Sequence, residues 1–191
     1  DLNMTTDPVL VLSHDRDVLR CTNFKKVFRD QPDKSPLVSD LTYAEIQMLS
    51  LNRAHNVTID TVKMPTLEQA LRCCKDRICV NVDQGYEYYD QVLEISERLG
   101  VTDQILIKGK KAIDVVAAHE ARYEHNMMYM PIVDIQKPKG KALFDSYIER
   151  GVVPLAYEVC WQSNDDGLFD EVCRTILDQG SKIWVNTIWA S

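Results

Sequence analysis

From about residue 60 onward, short apolar runs alternate with amphipathic stretches, and this alternation constrains the fold more than any other feature of the chain. Candidate strands fall at Ile78–Asp83, Gln104–Lys108, Met128–Asp134, Val153–Val159 and Lys182–Thr187. Between them, Thr66–Lys75 places Leu67, Ala70, Leu71 and Cys74 at the i, i+3, i+4, i+7 spacing of one helix face. Gly167–Gln179 does the same with Phe169, Val172, Cys173 and Ile176. Further helices are predicted near Tyr86–Leu99, Lys111–Tyr123 and Gly140–Arg150, with Gly100, Gly151 and Gly180 placed as C′ glycines. Regular β-α alternation with near-continuous apolar strands implies a parallel sheet covered by helices.

An open, doubly wound nucleotide fold would carry a glycine-rich turn after its first strand. Neither G-x-G-x-x-G nor G-x-x-x-x-G-K-[ST] occurs. Instead, strand after strand ends in a polar or charged residue: His14, Asp83, Lys108, Asp134, Glu158 and Asn186. Chemistry spread over many strand ends is the pattern of a (β/α) barrel. No linker, repeat or low-complexity segment interrupts residues 1–191, which read as one domain.

Net charge is −7, from 29 acids and 22 bases, and no basic run is long enough to track a phosphate backbone, so nucleic acid is not an expected partner. No stretch approaches the roughly 20 apolar residues of a transmembrane helix. Cys73 and Cys74 are adjacent on a predicted helix and point to different faces. With no C-x-x-C pair to join them, the six cysteines read as unpaired thiols rather than a metal cluster. The compartment is not fixed by these features; an upstream signal peptide would make it extracytoplasmic, in the periplasm.

The densest chemistry lies in Pro8–Asn23, PVLVLSHDRDVLRCTN, where the apolar strand Val9–Leu12 runs into Ser13-His14-Asp15. An imidazole can take or give a proton at neutral pH, as general acid–base chemistry requires, or be held structurally by the neighbouring carboxylate. Asp83 closes the strand ICVNVD, where a hard divalent cation could draw on its carboxylate or the next helix could be capped. Lys108 closes QILIK and could neutralise a phosphate oxygen as a point charge, whereas Lys110 and Lys111 read as a solvated run. Glu158 lies inside LAYEVCW, where a carboxylate must be paired to be buried; it is a site residue or a member of a structural ion pair. Trp161, Trp184 and Trp189 could wall a pocket or pack the core, and Asn186 and Thr187 could offer hydrogen bonds at the barrel mouth.

The spacing H-D-x-x-x-x-R-x-T-N, carried by His14, Asp15, Arg20, Thr22 and Asn23, resembles a signature of the glycerophosphodiester phosphodiesterase family. Thr5-x-Asp7 is similar to its T-x-D turn. Val38, Asp40, Leu41, Thr42 and Glu45 resemble its V-x-D-L-T-x-x-E-L segment, KMPTLEQAL its I-P-T-L-E-E-A-L, and ICVNVD its third-ligand strand. The resemblance implies a TIM-type (β/α)8 barrel, of which this chain would be an incomplete portion. It implies metal-dependent hydrolysis of a small-molecule glycerophosphodiester to glycerol 3-phosphate and an alcohol, with Ca²⁺ or Mg²⁺. By the same resemblance, His14 is one acid/base residue, and Asp1 and Asp83 are two of three metal ligands. From their own positions, Lys108 is expected as a further catalytic residue, and Arg20, Glu158, Asn186 and Trp189 are expected to contact substrate.

The chain departs from that pattern in several places. The family's H-R-G histidine and the first acid of its E-x-D motif would precede Asp1, and its closing I-x-T-D-x-P strand would follow Ser191. The expectation is therefore a barrel truncated at both ends. Gln84 and Gly85 stand where the family's ligand is followed by a lysine. These departures leave two alternatives: a non-catalytic barrel binding a phosphorylated polyol, and a phosphodiester lyase releasing a cyclic phosphate.

Overall fold

A computed structural model describes residues 1–52, 62–163 and 166–185, which fall into two compact units, Asp1–Arg77 and Ile78–Ser191. The first unit opens with β1 (Leu2–Met4) and β2 (Leu10–Leu12), paired antiparallel with Leu2 opposite Leu12 and Met4 opposite Leu10. The expected first barrel strand, Val9–Leu12, is thus one arm of a hairpin and not a parallel strand. The connection from Thr5 to Val9 is too short for a parallel crossover, which needs about a dozen residues. Thr5 and Asp7 shape this turn: the Thr5 hydroxyl donates to Asp7 Oδ1 at 2.7 Å and accepts from the Val9 N–H. Asp7 Oδ1 also accepts from the Tyr43 N–H, fixing the start of a helix 36 residues away.

Helices α1 (Phe24–Val27), α2 (Tyr43–Met48) and α3 (Leu67–Cys74) complete this unit. Both longer helices begin with a capping box. Thr42 with Glu45 and Thr66 with Gln69 exchange side-chain-to-backbone hydrogen bonds, each satisfying two otherwise orphan N–H groups. Val11, Val18, Phe24, Phe28, Val38, Leu41, Ile46, Leu49 and Met64 form the unit's buried core.

The second unit is a five-stranded parallel sheet in strictly sequential order: β3 (Val80–Val82), β4 (Ile105–Gly109), β5 (Met128–Asp134), β6 (Ala156–Cys160) and β7 (Lys182–Val185). Helices α4 (Tyr89–Leu99), α5 (Ile113–Glu120), α6 (Pro138–Glu149) and α7 (Leu168–Asp178) connect them. A sequential parallel sheet with a helix after each strand is the construction of a TIM-type barrel, here present as a half-barrel. No described helix is long and apolar enough to cross a membrane.

The expected elements are recovered with trimmed ends. The Tyr86–Leu99 helix starts as a 3₁₀ turn over Gly85–Tyr88, and residues 153–155 precede β6 rather than belonging to it. Gly100, Gly151 and Gly180 have φ of 65°, 64° and 93°, the left-handed conformation expected of helix-ending glycines.

Strand alternation separates two faces. Ile105 and Ile107 are fully buried on the helix side, whereas Leu106, Met130 and Ala156 form a second buried cluster with Met128. In register, Leu106 lies opposite both Asn81 and Met128, so these residues line the inner face. Two residues further along, the same face carries Lys108, and on β6 it carries Glu158 opposite Ile132 and Trp184. Among the described residues, the polar side chains that β4, β5 and β6 place on this face lie toward the carboxyl ends of the strands, whereas Asn81 on β3 and Lys182 at the start of β7 share the face away from that end.

Gly140 holds α6 against this end of the sheet. A Cβ there would lie 2.0 Å from the Asp134 carbonyl oxygen and 2.8 Å from its backbone nitrogen. Alanine normally improves a helix interior by about 1 kcal/mol over glycine. At residue 140 the clash is with backbone, so Gly140→Ala is expected to cost about 1–3 kcal/mol instead, measured by urea denaturation. A stabilised Gly140→Ala variant would mean that α6 does not pack this closely.

Candidate active site

In the first unit the His14-Asp15-Arg20 motif folds into a hydrogen-bonded relay. Asp15 accepts from Arg20 at both oxygens, Nε to Oδ2 at 2.6 Å and Nη2 to Oδ1 at 2.9 Å, a bidentate pair. His14 Nδ1 lies 2.7 Å from Asp15 Oδ1. The Arg20 guanidinium, and after it His14, hold the Asp15 carboxyl well below the usual carboxylate range. An ionised Asp15 requires the proton of a neutral His14 to sit on Nδ1, which turns Nε2 outward as the acceptor. The His14 side chain is 73% exposed, so that nitrogen is open to a ligand.

The backbone under this relay is pinned. Asn3 donates its side-chain N–H groups to the carbonyls of Ser13 and Asp15, and the Ser13 hydroxyl also donates to Asp15 O. Thr22 and Asn23 secure the following loop: the Thr22 hydroxyl donates to Val18 O, while Asn23 Oδ1 accepts from the Ser50 N–H. Arg20, expected to contact substrate, thus spends two donors on Asp15. Its first task is to orient the carboxylate that orients His14.

In the second unit Lys108 is only 5% exposed and its Nζ bridges two carboxylates, Glu158 at 2.6 Å and Asp83 at 2.9 Å. Burial alone would lower the lysine's pKa; the bonds to Glu158 and Asp83 outweigh that and hold it above its ordinary value. Glu158, also buried, is therefore both an inner-face residue and an ion-pair member. Lys108 was expected to meet a phosphate directly, but both neighbours already claim its charge. Asn81 lies one layer below Asp83 on the same face; its buried Oδ1 has no hydrogen-bond partner among the described residues.

Asp83 is the residue of this unit best suited to a hard divalent cation. Its side chain is 40% exposed, Oδ1 accepts from the Gln84 N–H and Oδ2 from Lys108. A carboxylate has about four lone-pair sites, so with two in use about two remain for a ligand, with Lys108 behind it as a brace. No group of three or more His, Cys, Asp or Glu able to hold a metal is gathered among the described residues. Asp83 thus fits as a single ligand and not as part of a complete cage. Asp1, the other expected ligand, begins the first unit.

Beyond Glu158, the carboxyl ends of β4, β5 and β6 enclose a pocket of about 450 Å³ lined by Lys110, Asp134, Lys137, Cys160, Trp161 and Gln162. Lys137 Nζ lies 2.6 Å from Asp134 Oδ2, and Trp161 stacks on Phe169 with ring centroids 4.2 Å apart. Sequence reasoning placed Asp134 at a strand end but passed over Lys137 and set Lys110 aside as solvated. The i, i+3 spacing of Asp134 and Lys137 was the available signal. Lys111, in contrast, serves the scaffold: its N–H donates to the Tyr129 hydroxyl and its carbonyl accepts from Tyr147. Asn186 and Trp189 lie outside the described residues.

A half-barrel with polar side chains at the carboxyl ends of its strands is the class of α/β-barrel enzymes. The model of the glycerophosphoryl diester phosphodiesterase family matches residues 1–146, and the chain belongs to that family. Membership makes it a phosphoric diester hydrolase-type enzyme. A second model, a domain of unknown function, matches residues 129–191. No curated protein matches the chain.

Solved structures agree on the fold. A glycerophosphoryl diester phosphodiesterase from Parabacteroides distasonis is 19% identical with a TM-score of 0.59, over 97% of this chain and 70% of that one. A glycerophosphodiester phosphodiesterase from the same organism is 17% identical with a TM-score of 0.54, over 97% and 77%. One from Agrobacterium tumefaciens is 13% identical with a TM-score of 0.51, over 97% and 81%.

Proposed function

We propose that this protein hydrolyses glycerophosphodiesters to glycerol 3-phosphate and a free alcohol, with His14 as an acid/base residue. The observation that carries the reading is the Arg20–Asp15–His14 relay, which fixes one ring nitrogen and leaves the other exposed. In hydrolysis a water oxygen bonds to phosphorus, the bond from phosphorus to the alcohol oxygen breaks, and a proton passes from water to the leaving alkoxide. In this reading His14 Nε2 carries that proton, and positioned general acid–base groups contribute about 10²–10⁴-fold. Asp15 keeps the imidazole in the tautomer that the transfer needs and offsets its charge when protonated.

A divalent cation, Ca²⁺ or Mg²⁺, is the cofactor proposed with this activity, and Asp83 is the residue of the second unit that would give it an oxygen. When bound, such an ion would offset charge on the phosphate. The test is product release from glycerophosphodiesters by the full-length protein, with either metal and then with chelator. Metal-dependent appearance of glycerol 3-phosphate supports the reading. A cyclic phosphate as the product would assign a lyase instead, and binding without turnover by folded, metal-loaded protein would assign a phosphopolyol-binding barrel.

A further inference from the structure

Resting on that reading, we infer that the pocket beyond Glu158 receives the alcohol part of the substrate and selects a polyhydroxylated group, such as a second glycerol or a cyclitol, over a quaternary amine. Its position is set by the strand register. Asp134 pairs with Cys160 one step beyond the Ile132–Glu158 pair, on the same inner face. Two residues of strand separate these layers by roughly 6.6 Å, so the pocket stands directly on the layer occupied by Glu158 and Lys108.

The lining decides the chemistry. Its charged groups among the described residues are Lys110, Lys137 and Asp134, with the Asp134 carboxylate already neutralised by Lys137. Among the lining residues that leaves Lys110 without a counter-charge, and its ammonium opposes a choline-type headgroup at that wall. Recognition of a quaternary ammonium uses aromatic faces around the cation. Here the pocket has a single indole, Trp161, and one of its faces is taken by Phe169.

A polyol meets complementary groups instead. Ammonium donors from Lys110 and Lys137 and the carboxylate acceptor of Asp134 suit hydroxyls, which both accept and donate. The indole offers apolar area to the carbon skeleton. The loop holding Trp161 is anchored rather than free: Gln136 accepts from the backbone N–H groups of Gln162 and Ser163 and donates to the Ser163 carbonyl at 2.8 Å. A pre-formed wall of this kind spends little free energy on ordering when ligand arrives.

The experiment is a comparison of the affinity of the full-length protein for glycerophosphoinositol, glycerophosphoglycerol and glycerophosphocholine, by calorimetry under non-turnover conditions. The two polyol diesters are expected to bind about tenfold or more tightly than the choline diester, the ratio a single charge-assisted hydrogen bond supplies. Lys110→Glu with Lys137→Glu, both surface changes, should reverse that order, and Trp161→Ala should weaken binding of the polyol diesters. Equal affinity, a preference for choline, or no measurable binding of any of the three would overturn the inference. If no diester is turned over while the polyol preference in binding holds, the hydrolytic reading fails and the pocket assignment stands.

Discussion

Replacing His14 with alanine is expected to lower kcat by about 10²–10⁴-fold while leaving the fold intact, because proton transfer by a positioned imidazole supplies a factor of that size. The side chain is 73% exposed and packs no core, so its removal opens no cavity. Asp15 keeps its bidentate bond to Arg20 in the variant. Turnover, the far-ultraviolet spectrum and the melting temperature together read the outcome; wild-type turnover in His14→Ala would remove this residue from the mechanism. Asp15→Asn is the companion change. It is expected to lower turnover with the imidazole present, since an amide no longer dictates the tautomer. The pH dependence separates the two residues. The folded pKa of Asp15 is depressed, so its stabilising pairing is present above its ordinary value of 3.8 and is lost only as pH falls through the lower folded value. An acid limb in the rate profile above pH 4 therefore belongs to a group other than Asp15.

The sequence was most informative where a local rule and the tertiary structure demanded the same residue. The resemblance to the family passes through Thr42-x-x-Glu45 and Thr66-x-x-Gln69, and both prove to be capping boxes that start helices. Thr5-x-Asp7 forms the hairpin turn, and Thr22 and Asn23 tie a loop to its neighbours. Much of the pattern that carries the resemblance thus encodes local backbone geometry, and within Pro8–Asn23 it is His14, Asp15 and Arg20 that join in a side-chain network. Apolar periodicity located all five parallel strands: β4, β5 and β6 are buried along most of their length, and β7 shows the same apolar run although three of its four residues are exposed. It could not tell the hairpin arm Leu10–Leu12 from a barrel strand, since a three-residue apolar run looks alike in either pairing. Nor could it pair Lys108 with Glu158. Fifty residues separate them, and only the stagger of β4 against β6 brings them to one layer. The mouth pocket was equally hidden, as Lys110, Asp134 and Trp161 come from the carboxyl ends of three successive strands with no shared spacing.

Lys108→Met is expected to destabilise the protein by about 3–5 kcal/mol at pH 7, the cost of leaving a buried charge without its partner. Glu158, at 5% exposure, would lose the ammonium that lies 2.6 Å from it, while Asp83, 40% exposed, could fall back on water. Glu158→Gln should cost less, because Lys108 keeps Asp83 and the amide oxygen can still accept its proton. The pH dependence gives the sharper test. Burial favours the neutral form of a carboxylic acid that has lost its cation. The deficit of Lys108→Met should therefore shrink as pH is lowered from 7 toward 4. In the wild type the sign is opposite and the window different. The folded pKa of Lys108 is raised, so its contribution is complete below the ordinary value of 10.5 and declines as pH climbs through the higher folded value. Urea denaturation of wild type and Lys108→Met between pH 4 and 8 measures the first effect, and wild-type melts above pH 10 the second. A Lys108→Met deficit that stays constant with pH would mean that no carboxylate depends on this lysine. A deficit that vanishes in acid would instead make the Asp83–Lys108–Glu158 bridge the brace that fixes Asp83 at the barrel mouth, with Lys108 as a positioning residue rather than a phosphate ligand.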